Sequence, residues 1–183
     1  MRIYIFLILK LLIFIPSLLY SDSLKINGTN NSNTNFTPTA EMLKNDWSSS
    51  IEMERSWKSA LVRIPVSVGK SIASTVDEME KKLSEKVKKF PTVIFLHGCY
   101  GVHPGTHHRI KFLADHGFLT IAPVSFARLK YPKSCDIYTY QSGLYRGTIK
   151  IREFDAKYAI TKLKNLNFVD TENIILMGHS EGG

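Results

Sequence analysis

The stretch that most restricts this chain is residues 173–183, Asn-Ile-Ile-Leu-Met-Gly-His-Ser-Glu-Gly-Gly. A short apolar run leads straight into Gly178-His179-Ser180-Glu181-Gly182, a sequence of the G-x-S-x-G form. A strand that turns at once into a helix holds the middle residue at the apex of a strained turn. The flanking glycines carry no Cβ, so strand and helix can approach closely. The pattern predicts a buried strand over 173–177, Ser180 lifted into a cleft, and Gly178 and Gly182 supplying the space. The pentapeptide alone is a weak signal, since Gly and Ser are common. Its place directly after an apolar strand gives it weight.

The 183 residues suffice for one domain with a sizeable core, and an apolar share of 44% is ordinary for a globular protein. The formal charge is +8. Arg2, Lys10 and Lys25 lie outside any expected core, and Lys81, Lys82, Lys86, Lys88 and Lys89 form a cluster. No nucleic-acid-binding motif accompanies the charge, so it reads as solvated helix faces and no nucleic-acid partner is expected.

Residues 1–23 read as an export signal: Arg2, an apolar run broken by Lys10 and Pro16, then small residues at Ser21 and Ser23. The longest unbroken apolar piece is short for a membrane span, which needs about 20 residues. The protein is therefore expected to be exported, periplasmic or secreted, touching the membrane only transiently through the signal. The alternative is an uncleaved anchor. Residues 24–46 are rich in Asn, Ser and Thr and are expected to be a disordered polar linker. Asn27, Asn30 and Asn35 begin glycosylation sequons there, which matter only in a eukaryotic host. Residues 47–183 are the folded part.

Residues 60–68 read as early strand material, with Pro65 marking an edge strand or a break. Ile72, Val76, Met79, Leu83, Val87 and Phe90 recur at helical steps, so one amphipathic helix is expected over 72–90, ended by Pro91. Residues 92–96 form a continuous β-rich apolar run, a strand buried on both faces. A helix is expected over 106–116 with Gly117 as its stop, a strand over 118–123, and a polar, Tyr-rich connection over 125–147. The last helix, 151–166, should place Ile151, Phe154, Tyr158 and Leu163 near one face. Strands alternating with helices in this order predict an α/β fold with a mostly parallel sheet flanked by helices.

A second motif, His97-Gly98-Cys99-Tyr100-Gly101, ends the strand two βα units before the Ser180 turn. Acyl transfer builds negative charge on a carbonyl oxygen, and two backbone N–H groups aimed at it form an oxyanion hole. The expected donors are the N–H groups of Cys99 and Glu181, with His97 and Gly98 shaping the loop. All six His precede Ser180. His103, His107 and His108 invite a metal reading, but no Glu stands between them as in H-E-x-x-H. They read as exposed residues near a helix start, and no metal is expected. Cys99 and Cys135 are the only cysteines. Export permits a bridge that would tie the oxyanion loop to the following loop. Two reduced thiols are the alternative, and both readings stand at this level.

His97-Gly98-Cys99-Tyr100-Gly101, Ser125-Phe126-Ala127-Arg128, Cys135-Asp136 and Gly178-His179-Ser180-Glu181-Gly182-Gly183 together resemble the dienelactone hydrolase-like branch of the α/β-hydrolases. The resemblance covers about residues 91–183. It implies the N-terminal part of an α/β-hydrolase fold and hydrolysis of ester, lactone or related acyl bonds, with no cofactor. The best-known members of that family use Cys as the nucleophile; here Ser180 stands at that position. The resemblance also implies a catalytic acid and His, expected beyond residue 183. The expectation is an exported serine hydrolase acting on a small-molecule acyl substrate through an acyl-enzyme, whose present chain is inactive without those two residues. The strand 173–177 would then be a sheet edge with unpaired backbone groups. The alternatives are a non-catalytic truncated relic and an exported binding protein.

Overall fold

The computed structural model describes residues 40–132, 134–136 and 138–183. The expected export signal and residues 24–39 of the polar tract, with the three sequons, lie outside them. The described chain opens with two helices, α1 (Ala40–Trp47) and α2 (Ser50–Lys58). The last seven residues of the expected linker are therefore helical. In α2 the Ser49 hydroxyl accepts from the Glu52 N–H, an N-cap that satisfies one of the helix's open donors. Trp57 near its end is buried.

A hairpin follows, β1 (Leu61–Ser67) with β2 (Lys70–Ser74), then α3 (Val76–Leu83) and β3 (Phe90–Leu96). The expected helix over 72–90 is thus cut at both ends. Thr75 and Glu78 form a reciprocal capping box that starts the helix after Ile72, which belongs to β2. Val87 is exposed, and Pro91 lies inside β3 rather than ending a helix. Pro65 sits in β1, an interior strand, beside a register irregularity. Strand β4 pairs β1 only as far as Arg63, so Pro65 breaks no bond on that side. Next come α4 (Pro104–Asp115) and β4 (Leu119–Ala122). The connection after β4 holds a 3₁₀ turn, Ser125–Ala127, and a small ladder of β5 (Cys135–Asp136) with β6 (Gln141–Ser142). It leads into α5 (Gly147–Lys164), β7 (Val169–Gly178) and a terminal 3₁₀ turn, Ser180–Gly182.

The main sheet has the order β2-β1-β4-β3-β7. Strands β4, β3 and β7 are parallel, whereas β1 runs antiparallel to both β2 and β4. The expected α/β architecture, a sheet flanked by helices, is present; the sheet is parallel over β4, β3 and β7 and mixed beyond them, where the tight β1–β2 turn reverses the chain. One face packs Trp57, Met79, Leu83, Ile94, Ile121 and Leu163 between the sheet and α2, α3 and α5. The other packs Leu61, Phe95, Ile110, Ala122 and Val124 under α4. β7 is the sheet edge, as expected for the strand over 173–177, but the burial expected of its apolar run is not found: Ile175, Leu176 and Met177 are exposed because, among the described residues, β3 alone lies alongside.

Candidate active site

β3 and β7 lie side by side in parallel, with Leu96 opposite Gly178, so the chains leaving both strands emerge together. Behind β7 the backbone reverses sharply: Gly182 N–H donates to His179 O at 3.0 Å and Gly183 N–H to Ser180 O at 3.0 Å. Ser180 at the apex has φ +57°, the left-handed region that costs an L-residue with a Cβ roughly 1–2 kcal/mol. Space dictates the two glycines. A Cβ on Gly178 would lie 1.8 Å from Gly182 O, and one on Gly182 would lie 2.4 Å from Leu96 O, both backbone atoms that cannot step aside. Gly98 packs against the turn as well; a Cβ there would be 3.2 Å from Ser180 Cβ.

A cleft of about 370 Å³ opens at this point, lined by Gly98, Cys99, Tyr100, His103, His179 and Ser180. Among the described residues, neither the Cys99 nor the Glu181 backbone N–H donates to another group. Cys99 and Cys135 are bridged, with Cα atoms 5.7 Å apart, which fastens the loop after β3 to the β5–β6 ladder.

The imidazoles divide by their bonds. His97 is fully buried. Its Nε2 accepts the Ser125 N–H at 3.1 Å, so its proton is on Nδ1, which donates to Gly98 O at 2.9 Å. Burial, and then the Arg152 charge beside it, push its pKa down to about 3. A ring with both nitrogens committed and no affinity for a proton at neutral pH is a brace, not a base. His103 caps α4, accepting the Gly105 N–H on Nδ1 at 3.1 Å. Pro104 and Gly105 are thus the first residues of this helix. Burial, then Arg109 and His179, lower the His103 pKa. His179 faces it across the cleft, ring centroids 6.3 Å apart. His116 donates from Nδ1 to Phe112 O at 2.7 Å at the far end of α4. Among the described residues nothing hydrogen-bonds Ser180 Oγ, and no group of three or more His, Cys, Asp or Glu could hold a metal ion.

Beneath the cleft lies a polar cluster that the apolar periodicity of 151–166 does not show. Helix α5 buries Thr148, Arg152 and Asp155 together with Ile151, Ala159 and Leu163, while Phe154 and Tyr158 are only half-buried. Asp155 accepts from Ser125 Oγ at 2.6 Å and pairs with Arg128 at 2.6 Å, both side chains being within 1% of full burial. Arg128 also donates to Asp46 O at 2.9 Å, which ties α1 to the loop after β4. The Glu181 side chain turns down into the same cluster, where it accepts from Ser134, from Thr148 Oγ1 at 2.7 Å and from Arg152 at 3.4 Å. The available signal was spacing. Thr148, Arg152 and Asp155 stand four and then three residues apart, which is one face of a helix.

The fold and site define an α/β protein with a strained seryl turn beside a disulfide-fastened loop, the two sharing one cleft. The chain matches no protein-family model, no curated protein and no solved structure.

Proposed function

We propose that this chain carries the nucleophile and oxyanion half of an exported serine hydrolase of the α/β-hydrolase kind, acting on ester, lactone or related acyl bonds of a small molecule. The observation that carries the reading is Ser180 at φ +57° between two glycines that tolerate no Cβ. Strain of this kind persists only where its surroundings enforce it, and it gathers at functional sites. The unengaged Cys99 and Glu181 amides beside that serine are suited to a developing oxyanion. In the reaction Ser180 Oγ adds to the acyl carbonyl as its proton passes to a base, and the alcohol leaves. Water then releases the acid from the acyl-serine. None of the described imidazoles is bonded to Ser180, so the base and its acid partner are assigned to segments outside the described residues. The Cys99–Cys135 bridge supports export to an oxidising compartment.

The rival reading, a non-catalytic relic or exported binding protein, draws on that missing base. A fluorophosphonate probe separates the two when applied to the product of the complete reading frame that encodes this chain. Labelling at Ser180, lost in Ser180→Ala, is expected. An unlabelled but folded protein would establish the non-catalytic reading.

A further inference from the structure

We propose that Arg152 is the positioning residue of the oxyanion hole, one guanidinium that holds both halves of it; this rests on the seryl hydrolase reading above. Arg152 is buried, and its Nη2 donates to Gly98 O at 2.9 Å and to Glu181 Oε2 at 3.4 Å. These two acceptors belong to the two donor residues of the hole. The Gly98 carbonyl is the other end of the peptide whose N–H is that of Cys99. A trans peptide is planar, so fixing the carbonyl on one side aims the Cys99 N–H to the opposite side. Glu181 supplies the second N–H from its own backbone.

The Gly98 carbonyl is unusually well held. It accepts from Arg152, from His97 Nδ1 at 2.9 Å and from Gly101 N–H at 3.0 Å. A cationic donor on a carbonyl draws electron density through the peptide and makes its N–H a stronger donor, and aligned hydrogen bonds reinforce one another. Arg152 Nη1 also lies 3.3 Å from His97 Nε2, on the side where that ring accepts. The arginine thus supports the loop directly and through its brace. Its own position is set by the Tyr131 ring, 5.5 Å from the guanidinium carbon, and by the Glu181 carboxylate, which Ser134 and Thr148 hold in turn. A lysine could make one of these contacts but not span them, because it lacks the planar fork.

The test uses the product of the complete reading frame, with p-nitrophenyl acetate as substrate and phenylboronic acid as transition-state analogue. Arg152→Lys and Arg152→Met should each lower kcat by roughly 10- to 100-fold, less than the 10²–10³-fold that outright loss of an oxyanion donor costs. KM should stay within about twofold, and phenylboronic acid affinity should fall in step with kcat, as for an interaction made only in the transition state. An unchanged kcat per folded molecule, or a rise in KM alone, would overturn the proposal. The unsubstituted protein gives a second check that needs no variant to fold. Its Cys99 amide proton should move downfield when phenylboronic acid binds, and a resonance indifferent to that binding overturns the proposal. Should wild-type turnover survive Ser180→Ala, the seryl reading itself falls and this proposal with it.

Discussion

At the scale of single residues, Ser180 holds a left-handed backbone conformation although it carries a Cβ. Gly178 and Gly182 make room for the turn, yet the apex keeps a side chain at φ +57°. Gly at the apex would relieve strain of roughly 1–3 kcal/mol. Part of that gain is offset by the greater freedom a glycine loses on folding, roughly 0.4–1 kcal/mol. Ser180→Gly is therefore expected to be more stable than wild type by about 1 kcal/mol, a rise of roughly 2–4 °C in Tm for a chain of this size. It should also lose all labelling by a seryl probe. Urea denaturation of the two proteins decides the matter: a Ser180→Gly variant less stable than wild type would show that the turn is not strained at its apex. The sequence pattern alone located this serine and both glycines, because steric exclusion at a tight turn leaves few residue choices. It left the partners of Glu181 unseen, since Ser134, Thr148 and Arg152 come from loops and a helix that only tertiary packing brings together.

At the scale of elements, the loops after β3 and β4 are joined through one neutral imidazole. His97 links the Gly98 carbonyl of the first to the Ser125 N–H of the second. An unfolded His takes up a proton near pH 6.5, whereas folded His97 does so only near pH 3. Between those values the unfolded chain binds the extra proton. The stability is full above pH 6.5 and falls on acidification, by at most about 1.4 kcal/mol per pH unit from this group. His103, also lowered, adds the same sign. Down to pH 5 most carboxylates remain ionised, so the slope there belongs mainly to histidines. His97→Gln keeps one donor and one acceptor but does not titrate. It should be less stable at pH 7.5 and should lose up to about 2 kcal/mol less than wild type on going to pH 5. An unchanged pH slope would mean that His97 takes up its proton as readily in the folded chain as in the unfolded one. Sequence periodicity found β3, α4 and β4 because their apolar spacing is regular. It overran α3, since Ile72 and Phe90 continue a helical rhythm while belonging to strands, and the Thr75–Glu78 box decided the boundary. It placed α5 but misread its buried face, where Arg152 and Asp155 replace the aliphatic residues that periodicity counts. Helix α2 was missed because its eight residues before Lys58 hold only three apolar side chains, Ile51, Met53 and Trp57.

At the scale of the whole molecule, the candidate site stands at the edge of the sheet. The strands of the parallel part run β4-β3-β7, and among the described residues β7 has a neighbour on one side only. Its ten residues offer unpaired backbone groups along the other side, and Ile175, Leu176 and Met177 are exposed by 41%, 53% and 40%. Met177 continues into a groove of about 570 Å³ against α4, lined also by Phe95, Phe112 and Leu113. An open, apolar strand edge templates pairing with another chain. No proline interrupts β7, and its charged residues, Asp170 and Glu172, lie at the beginning, away from the apolar end. The 183-residue chain is therefore expected to self-associate through β7 as its concentration rises. A charge in the middle of the apolar run should oppose this without touching the core, because Leu176 is the most exposed of the three. Light scattering after size exclusion should give wild type a concentration-dependent mass above the monomer and Leu176→Lys a mass near the monomer, with equal circular dichroism. A wild-type chain that stays monomeric at high concentration would show that the β7 edge is covered in solution.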